Sequence, residues 1–451
     1  MSEQGEQGQE LVERIWARDP TVWTGSDEAQ WLGWLDEPWR DIDLSRAPVG
    51  EYEHYVLLGM GGSSLAPEVF RRTFGSNTFH VLDTTHPKAI RRLQDGIDVG
   101  RTFFVASSKS GTTLETRSHL EHFWELAGRK PEQFAVVTDP GSELETLAEE
   151  RGFHAIFHGE PTIGGRYSAL SAFGLVAAAL IGADVDRIRA RAQEMAEACR
   201  GQDNNPGLKL GLQFGNGWGE GRDKICIDDT PGGFGLWAEQ LIAESTGKEG
   251  KGLVPAPGES PARPDRQRGE VKLGDDYDLG AEFFRWEFAT AVAGSILGIN
   301  AFNQPDVQSA KDRTNEILGS GKDPDVQPSG SLDKLLEGAE EGNYVCVQAF
   351  IDPSDENESR IMELVERIRA RTGCVTTHGF GPRYLHSTGQ LHKGGPPIGR
   401  FVQLVDDTGD EIPIPGKDFG FGKLIRAQAA GDFASLDERG RPIVRVRLED
   451  L

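Results

Sequence analysis

Residues 102–116 decide the fold, and they read Thr102-Phe103-Phe104-Val105-Ala106-Ser107-Ser108-Lys109-Ser110-Gly111-Thr112-Thr113-Leu114-Glu115-Thr116. The apolar run 102–106 predicts a buried parallel strand, and the spacing of apolar side chains over residues 114–126 predicts a helix. Hydroxyl side chains and a glycine therefore lie at a strand-to-helix junction. Because the first turn of a helix presents unpaired N–H groups and the positive end of its dipole, we predict that this junction binds a phosphate.

The alternative for such a junction is an ordinary helix cap, in which one Ser or Thr accepts a hydrogen bond from the first turn. A single hydroxyl would suit that interpretation. Here four short donors accompany the glycine turn, namely Ser108, Ser110, Thr112 and Thr113. A group of hydroxyls that can surround an anion favours the phosphate site.

Strand-like and helix-like segments alternate from about residue 52 onward. The predicted strands cover residues 55–59, 79–83, 103–106, 134–137 and 155–157. The predicted helices between them cover residues 66–74, 87–93, 114–126 and 142–150. This alternation is typical of a doubly wound parallel sheet, in which ligands bind beyond the carboxyl ends of the strands.

A second unit of the same kind follows the helices predicted at residues 168–180 and 188–199. Its predicted strands cover residues 224–227, 344–350 and 401–405, and its predicted helices cover residues 236–245, 281–297 and 356–371. Residues 201–207, 255–278 and 320–330 are predicted to be loops. We therefore predict an α/β protein of two doubly wound parallel-sheet domains, at residues 51–200 and 201–451, with an N-terminal helical arm at residues 1–50 and a C-terminal extension.

Composition excludes several classes of protein. The chain has 451 residues and a formal net charge of −24, whereas a nucleic-acid-binding surface is basic. The longest apolar stretch, residues 169–183, is too short and too interrupted by Ser and Gly to span a membrane. Residues 1–10 lack the basic and apolar regions of a signal peptide. We expect no nucleic-acid or membrane partner and a cytoplasmic location.

Two residue types carry structural predictions. The four cysteines are far apart without a Cys-x-x-Cys pair, so they are predicted to be reduced core thiols. Five tryptophans lie within the first 40 residues and are predicted to pack the arm against the body of the protein: Trp16, Trp23, Trp31, Trp34 and Trp39.

The junction at residues 107–113, which carries the four hydroxyl side chains, is called the hydroxyl turn below. Two further glycine-rich loops accompany it. The first, at residues 59–67, closes one predicted strand and opens a helix, and the second covers residues 163–168. A glycine-rich loop after a strand also suits a dinucleotide, but the sequence here is Gly-x-Gly-Gly-Ser and not Gly-x-Gly-x-x-Gly.

The three loops together resemble the phosphoglucose isomerase family, which is built on paired sugar isomerase (SIS), flavodoxin-like domains. The similarity extends from about residue 52 to the end of the chain. It is closest to the isomerase half of bifunctional transaldolase–phosphoglucose isomerases, and we expect a free-standing version without the transaldolase domain. The resemblance implies an aldose–ketose isomerase of glucose 6-phosphate and fructose 6-phosphate that works as a homodimer and needs no cofactor or metal.

The resemblance also implies roles for individual residues. The phosphate-binding set falls on Ser63, Ser108, Lys109, Ser110, Thr113 and Gln304. A Glu-Ser-x-Gly-Lys motif supplies the base, which is Glu244, and a Gly-Gly-Arg-Tyr-Ser motif supplies Arg166. A Phe-x-Gln-x-x-Val-x-x-x-Lys motif ends in the catalytic lysine, Lys311. Taken alone, Glu244 and Lys311 are ordinary helix residues, and Arg166 is an ordinary surface cation.

The chemistry of isomerisation fits these residue types. Moving a proton between adjacent carbons through an enediol needs one carboxylate that reaches both carbons. Because negative charge grows on the substrate oxygens during the reaction, a fixed guanidinium stabilises the transition state more than it stabilises the bound substrate. The cyclic sugar must open first, and the family uses a lysine and a histidine for this step.

The sequence departs from the family at the histidine. The familiar enzymes place it between the motif glutamate and the motif lysine, yet residues 245–310 contain no histidine. The best substitutes are His386 and His392, in a glycine-rich polar stretch, and nothing in the sequence chooses between them. His119 and His122 have the spacing of a metal pair, but no third ligand accompanies them.

Three alternatives remain open at this stage. The substrate could be another sugar phosphate, such as mannose 6-phosphate. The chain could be a non-catalytic SIS protein that binds a sugar phosphate and regulates a partner. A metal-dependent isomerase would need a ligand cluster that the sequence does not offer.

Overall fold

Five parallel strands form the first sheet of the computed structural model, which describes residues 3–201, 204–409 and 411–451. The strands are β1 (His54–Gly59), β2 (Phe79–Leu82), β3 (Thr102–Ser107), β4 (Phe134–Thr138) and β5 (Ala155–His158), in the order β2-β1-β3-β4-β5. Strand β3 is buried along its whole length, as its continuous apolar run predicts. Gly59 pairs in register with Ser107, so the loops that follow β1 and β3 leave the sheet side by side.

The first-half helices agree with the predicted alternation. They are α1 (Glu3–Trp16), α2 (Leu65–Thr73), α3 (Pro87–Gly96), α4 (Leu114–Leu126), α5 (Glu143–Arg151), α6 (Ala172–Ile181) and α7 (Val185–Arg200). The α/β fold class is confirmed, because every strand pair of this sheet is parallel and helices connect the strands.

The second half divides its strands between two sheets. One contains β6 (Lys224–Ile227), β7 (Val254–Pro257) and β8 (Arg266–Gly269) in the order β7-β6-β8. The other contains β9 (Tyr344–Phe350), β10 (Val375–Phe380), β11 (Gly399–Val405) and β12 (Ile443–Arg447) in the order β10-β9-β11-β12. The second-half helices are α8 (Pro206–Gly219), α9 (Gly235–Thr246), α10 (Leu279–Leu297), α11 (Gln308–Gly319), α12 (Leu332–Glu337), α13 (Asp355–Thr372), α14 (Gly389–Gly394) and α15 (Phe421–Glu438).

The prediction of a loop over residues 255–278 was wrong. Strands β7 and β8 occupy part of it, each four residues long. Because β7 contains proline and β8 contains arginine, neither segment shows the apolar pattern from which a strand is predicted. Proline is tolerated because β7 lies at an edge of its sheet, where its missing N–H breaks no ladder. The strands are therefore fixed by pairing with β6 and not by their own propensity.

Trp23 and Trp34 pack against the body of the protein, whereas Trp39 is 38% exposed. Trp23 Nε1 donates a hydrogen bond to the Ala291 carbonyl oxygen (2.8 Å), which ties the arm to α10. The ring of Trp34 lies 5.3 Å from that of Tyr167. The four cysteines are buried and unpaired, as predicted. Across the described ranges, no helix is both long and apolar enough to cross a membrane.

Glu37 is a buried carboxyl group at the contact between the arm and the body. Its Oε1 accepts a hydrogen bond from Arg40 Nε (2.7 Å), while within the described chain its Oε2 has no hydrogen-bond partner. Burial raises the pKa of Glu37 from 4.5 to about 7, and the Arg40 guanidinium opposes that rise. Burial also raises the pKa of Glu287 on α10, and the charge of Glu37 raises it further.

We expect Glu37→Gln to remove a pH dependence of stability. The folded pKa of about 7 exceeds the unfolded value of 4.5, so the group's stabilisation is complete below pH 4.5 and is lost as pH rises through 7. Relative to wild type, the variant should gain up to about 3 kcal/mol of unfolding free energy by pH 9. Urea unfolding at pH 5, 7 and 9 measures the difference, with the exposed Glu150→Gln as a matched control. Parallel pH profiles of wild type and Glu37→Gln would contradict the prediction.

Candidate active site

The hydroxyl turn after β3 contains two side-chain pairs and a glycine bend. Ser108 Oγ lies 2.9 Å from Thr113 Oγ1, and Ser110 Oγ lies 3.0 Å from Thr112 Oγ1. Gly111 has a φ of +72°, and a Cβ there would lie 2.7 Å from the backbone nitrogen of Leu144. Thr113 precedes α4 but makes no side-chain capping bond to it. The geometry therefore differs from an ordinary cap and leaves a group of hydroxyls at the start of the helix.

Lys109 points away from this group. Its Nζ forms an ion pair with Asp139 and donates a hydrogen bond to the Glu160 carbonyl oxygen (2.8 Å). Burial lowers the pKa of Lys109, and its bond to Asp139 opposes that shift. In this arrangement the lysine joins the turn to the loops after β4 and β5.

The Gly-Gly-Ser loop touches two other predicted site segments. A Cβ on Gly61 would lie 2.5 Å from the His386 carbonyl oxygen, and one on Gly62 would lie 2.2 Å from the Gly165 carbonyl oxygen. Only glycine permits both close approaches. The loop therefore packs against the histidine segment on one side and the arginine loop on the other, with Ser63 buried at its end.

Arg166 is buried, with an exposed fraction of 1%, and its guanidinium is held by several acceptors. Nε donates to Ser245 Oγ (2.8 Å), Nη1 donates to Gln304 Oε1 (3.1 Å), and Nη2 donates to the carbonyl oxygens of Ala301 (2.9 Å) and Asn303 (3.1 Å). These bonds fix the plane of the guanidinium relative to α9 and to the loop after α10.

Glu244 lies on α9 beside this guanidinium. Its Oε1 is 3.5 Å from Arg166 Nη1, and its Oε2 accepts a hydrogen bond from Gln240 Nε2 (3.0 Å). The same Gln240 amide donates to the carbonyl oxygen of His386 (2.8 Å). Gln240 thus joins the predicted base to the histidine segment, and our sequence analysis missed it. Its position one helical turn before Glu244 is the signal that could have identified it.

The lysine of the Glu-Ser-x-Gly-Lys motif holds the end of α9. Lys248 Nζ donates to the carbonyl oxygens of Asn300 (2.7 Å) and Asn303 (2.5 Å). Burial lowers the pKa of Lys248, and the neighbouring Arg166 charge adds to that shift. Because Gln304 follows Asn303, this contact also places the predicted phosphate ligand against Arg166.

His386 forms a pair with Glu115, which lies in the first turn of α4 directly after the hydroxyl turn. His386 Nε2 lies 3.0 Å from Glu115 Oε1, which also accepts a hydrogen bond from Gln428 Nε2 (2.7 Å). Burial raises the pKa of Glu115, but the charge and hydrogen bond of His386, a backbone hydrogen bond and the charge of Lys311 together lower it to about 2. An ionised carboxylate therefore fixes the orientation of the imidazole.

His392 lies elsewhere. It is buried with an exposed fraction of 2%, among the rings of Tyr344, Tyr384 and Phe401. Burial lowers its pKa well below the usual value, and its Nδ1 lies 3.3 Å from Gln348 Nε2. Of the two histidines that the sequence left open, the structure brings only His386 to the predicted site. His392 fills the core of the second half.

A cavity of about 370 Å³ lies between the hydroxyl turn and α11. Residues that line it include Ser110, Thr112, Thr113, Lys311, His386 and Gln428. Lys311 is exposed at its edge. This volume suits a small sugar phosphate and is lined by hydroxyl, ammonium and imidazole groups.

His119 and His122, which have the spacing of a metal pair, each contact an oxygen atom of another residue. His119 Nε2 lies 3.0 Å from the Thr84 carbonyl oxygen, and His122 Nε2 lies 3.3 Å from Gln94 Oε1. Within the part of the chain that the structure describes, no three His, Cys, Asp or Glu side chains form a group able to hold a metal.

Solved structures share the fold. A glucose-6-phosphate isomerase from Chlamydia trachomatis superposes with a TM-score of 0.58 at 19% identity, over 70% of this chain and 85% of that one. A hypothetical protein from Thermus thermophilus superposes with a TM-score of 0.51 at 20% identity, over 98% of this chain and 83% of that one. The fold is that of the sugar isomerase proteins.

Sequence comparison finds a family match for part of the chain. Residues 45–200 match the family described as phosphoglucose isomerase. A glucose-6-phosphate isomerase from Gloeothece citriformis is 36% identical over 268 residues, or 53% of this chain and 49% of that protein. One from Acaryochloris marina is 35% identical over 265 residues, or 53% of this chain and 50% of that protein. The chain thus spans about half the length of the curated relatives that it matches.

Proposed function

We propose that this protein interconverts glucose 6-phosphate and fructose 6-phosphate. The observation that carries the proposal is the chain of contacts from Arg166 through Glu244 and Gln240 to His386 and Glu115. It joins a guanidinium and a carboxylate to the backbone of the segment that carries the imidazole of His386, and that imidazole pairs with Glu115 next to the hydroxyls. The family match of residues 45–200 supports the same activity.

In the proposed binding mode, the phosphate lies against the hydroxyl turn. Ser108, Ser110 and Thr113 donate to its oxygens, and the start of α4 adds its dipole. Ser63 and Gln304 contact it from neighbouring loops. Lys109, which is paired with Asp139, contributes by holding the turn.

The proposed reaction has two stages. His386 and Lys311 exchange protons with the ring oxygen and the anomeric hydroxyl, which opens the sugar. Glu244 then removes a proton from one carbon of the open chain and returns it to the adjacent carbon. Arg166 stabilises the negative charge that grows on the substrate oxygens of the enediolate. No electrons leave the sugar, because oxidation at one carbon balances reduction at the next.

Turnover of fructose 6-phosphate to glucose 6-phosphate in excess chelator tests the proposal. We expect activity without added metal, and mannose 6-phosphate in the same assay tests substrate choice. Loss of activity in chelator that returns with metal would instead indicate a metal-dependent isomerase. Binding of the sugar phosphate without turnover would overturn the proposal in favour of a regulatory SIS protein.

We also propose a homodimer in the cytoplasm. The family resemblance supports the dimer, and four unpaired buried cysteines suit a reducing compartment. His386 contacts Glu115 of its own chain, so the proposed site does not depend on a histidine from a second copy. Light scattering measures the oligomeric state, and a monomer with full activity would separate dimerisation from catalysis.

A further inference from the structure

Arg383 lies on the segment that carries His386. It follows β10 and begins the short helical turn Arg383–His386. Its side chain is largely buried and lies at the border of two cavities, one lined by Asp83 and the other by Glu239. One guanidinium therefore stands between carboxyl groups from two other parts of the fold.

The first carboxyl group belongs to the first sheet. Arg383 Nη1 lies 3.7 Å from Asp83 Oδ2, directly after β2. The same Oδ2 lies 3.4 Å from Ser64 Oγ, which is its hydrogen-bond donor. Ser64 follows Ser63 in the Gly-Gly-Ser loop. Through Asp83, the arginine thus contacts the loop that packs against His386.

The second carboxyl group belongs to the helix of the predicted base. Burial raises the pKa of Glu239 to about 8, and the Arg383 charge opposes that rise. Glu239 precedes Gln240, whose amide holds both Glu244 and the His386 carbonyl oxygen. Arg383 and Glu239 line the same cavity, so the guanidinium also faces the helix that supports the other end of the histidine segment.

We propose that Arg383 is a positioning residue, whose guanidinium, set between Asp83 and Glu239, holds the His386 segment against the first sheet and against α9. The inference rests on the proposed function, because it assigns Arg383 an effect on the ring-opening histidine. Arg383 itself touches neither substrate nor reacting atoms. It acts by fixing the distance of His386 from Glu115 and from the sugar ring.

A double-mutant cycle between Arg383 and His386 tests this inference. We expect Arg383→Met to lower kcat about 10- to 100-fold with little change in KM, since a displacement of about 1 Å has effects of this size. Because Arg383 acts through His386, the double variant Arg383→Met/His386→Asn should be no slower than His386→Asn alone. Arg383→Lys should restore part of the loss. Arg92→Met is the matched control, since Arg92 lines one of the same cavities but pairs with Asp352, and it should keep wild-type turnover.

Hydrogen exchange gives a second readout that does not need turnover. Arg383→Met should speed amide exchange in residues 383–388, whereas Arg92→Met should not. The inference would be overturned if the fold losses of kcat in the two single variants multiplied in the double variant. It would also be overturned if Arg383→Met left amide exchange in residues 383–388 unchanged. Faster exchange in a protein whose wild type does not turn over substrate would uphold the positioning role and overturn only the proposed function.

Discussion

Replacing Glu244 by Gln is expected to lower kcat for fructose 6-phosphate by up to about 10⁴-fold, since a general base contributes about 10²- to 10⁴-fold. The amide keeps the shape of the side chain, and its one oxygen can still accept a hydrogen bond from either Gln240 or Arg166, so the fold and substrate binding should persist. Glutamine cannot accept the carbon-bound proton. The loss should therefore fall on kcat and leave the dissociation constant for fructose 6-phosphate close to that of wild type.

Proton exchange with solvent makes this test specific to the base. In D₂O the wild type should exchange the hydrogen that is transferred between the two sugar carbons, and Glu244→Gln should lose that exchange, as NMR measures. Glu249→Gln, an exposed neighbour in the same segment, is the matched control. Retained exchange in Glu244→Gln would mean that another group is the base.

Replacing Arg166 by Lys should have the second largest effect, lowering kcat by about 10²- to 10³-fold. A lysine ammonium has no planar fork and cannot reproduce the bonds that join Arg166 to Ser245, Gln304 and the carbonyl oxygens of the loop after α10. Glu244 would also lose its fixed cationic neighbour. We expect stability to fall by about 2–4 kcal/mol, because buried acceptors lose their donor.

Two measurements separate the catalytic loss from the structural one. Thermal unfolding reports the change in stability, and Ser245→Ala removes one contact of Arg166 while leaving the guanidinium in place. That control should lower stability with a much smaller effect on kcat. For Arg166→Ala, added guanidinium ion at concentrations below those that denature should restore part of the rate. Equal losses of kcat in Ser245→Ala and Arg166→Lys would contradict a direct role for the guanidinium.

The first half of the fold could be predicted because its signals are local. Strands β1 to β5 are short apolar runs, and glycine-rich or hydroxyl-rich turns follow the ends of β1 and β3. In the second half, β7 and β8 carry proline and arginine, so pairing with β6 decides their conformation. The same reason explains why the sequence did not predict the division of the second-half strands into two sheets.

The candidate site was predicted in part. The motifs named Glu244 and Arg166, and in the structure Glu244 Oε1 lies 3.5 Å from Arg166 Nη1. They did not reveal Gln240, Gln428 or Arg383, and they left His386 and His392 equivalent. The residues next to a histidine in the sequence do not indicate which side chains surround it in the folded protein. Its contact with Glu115 depends on residues 271 positions away in the chain.

The sequence alone determined the α/β class and the hydroxyl turn at the end of β3, since periodicity and turn chemistry act over a few residues, and its motifs named the candidate site residues. Only the tertiary structure decided which histidine joins the site, that Lys109 pairs with Asp139, and that Gln240 and Arg383 support His386 from two sides. These choices depend on burial and on charges from distant segments. Residues that are far apart in the sequence make such contacts only in the folded chain, so local sequence patterns do not report them.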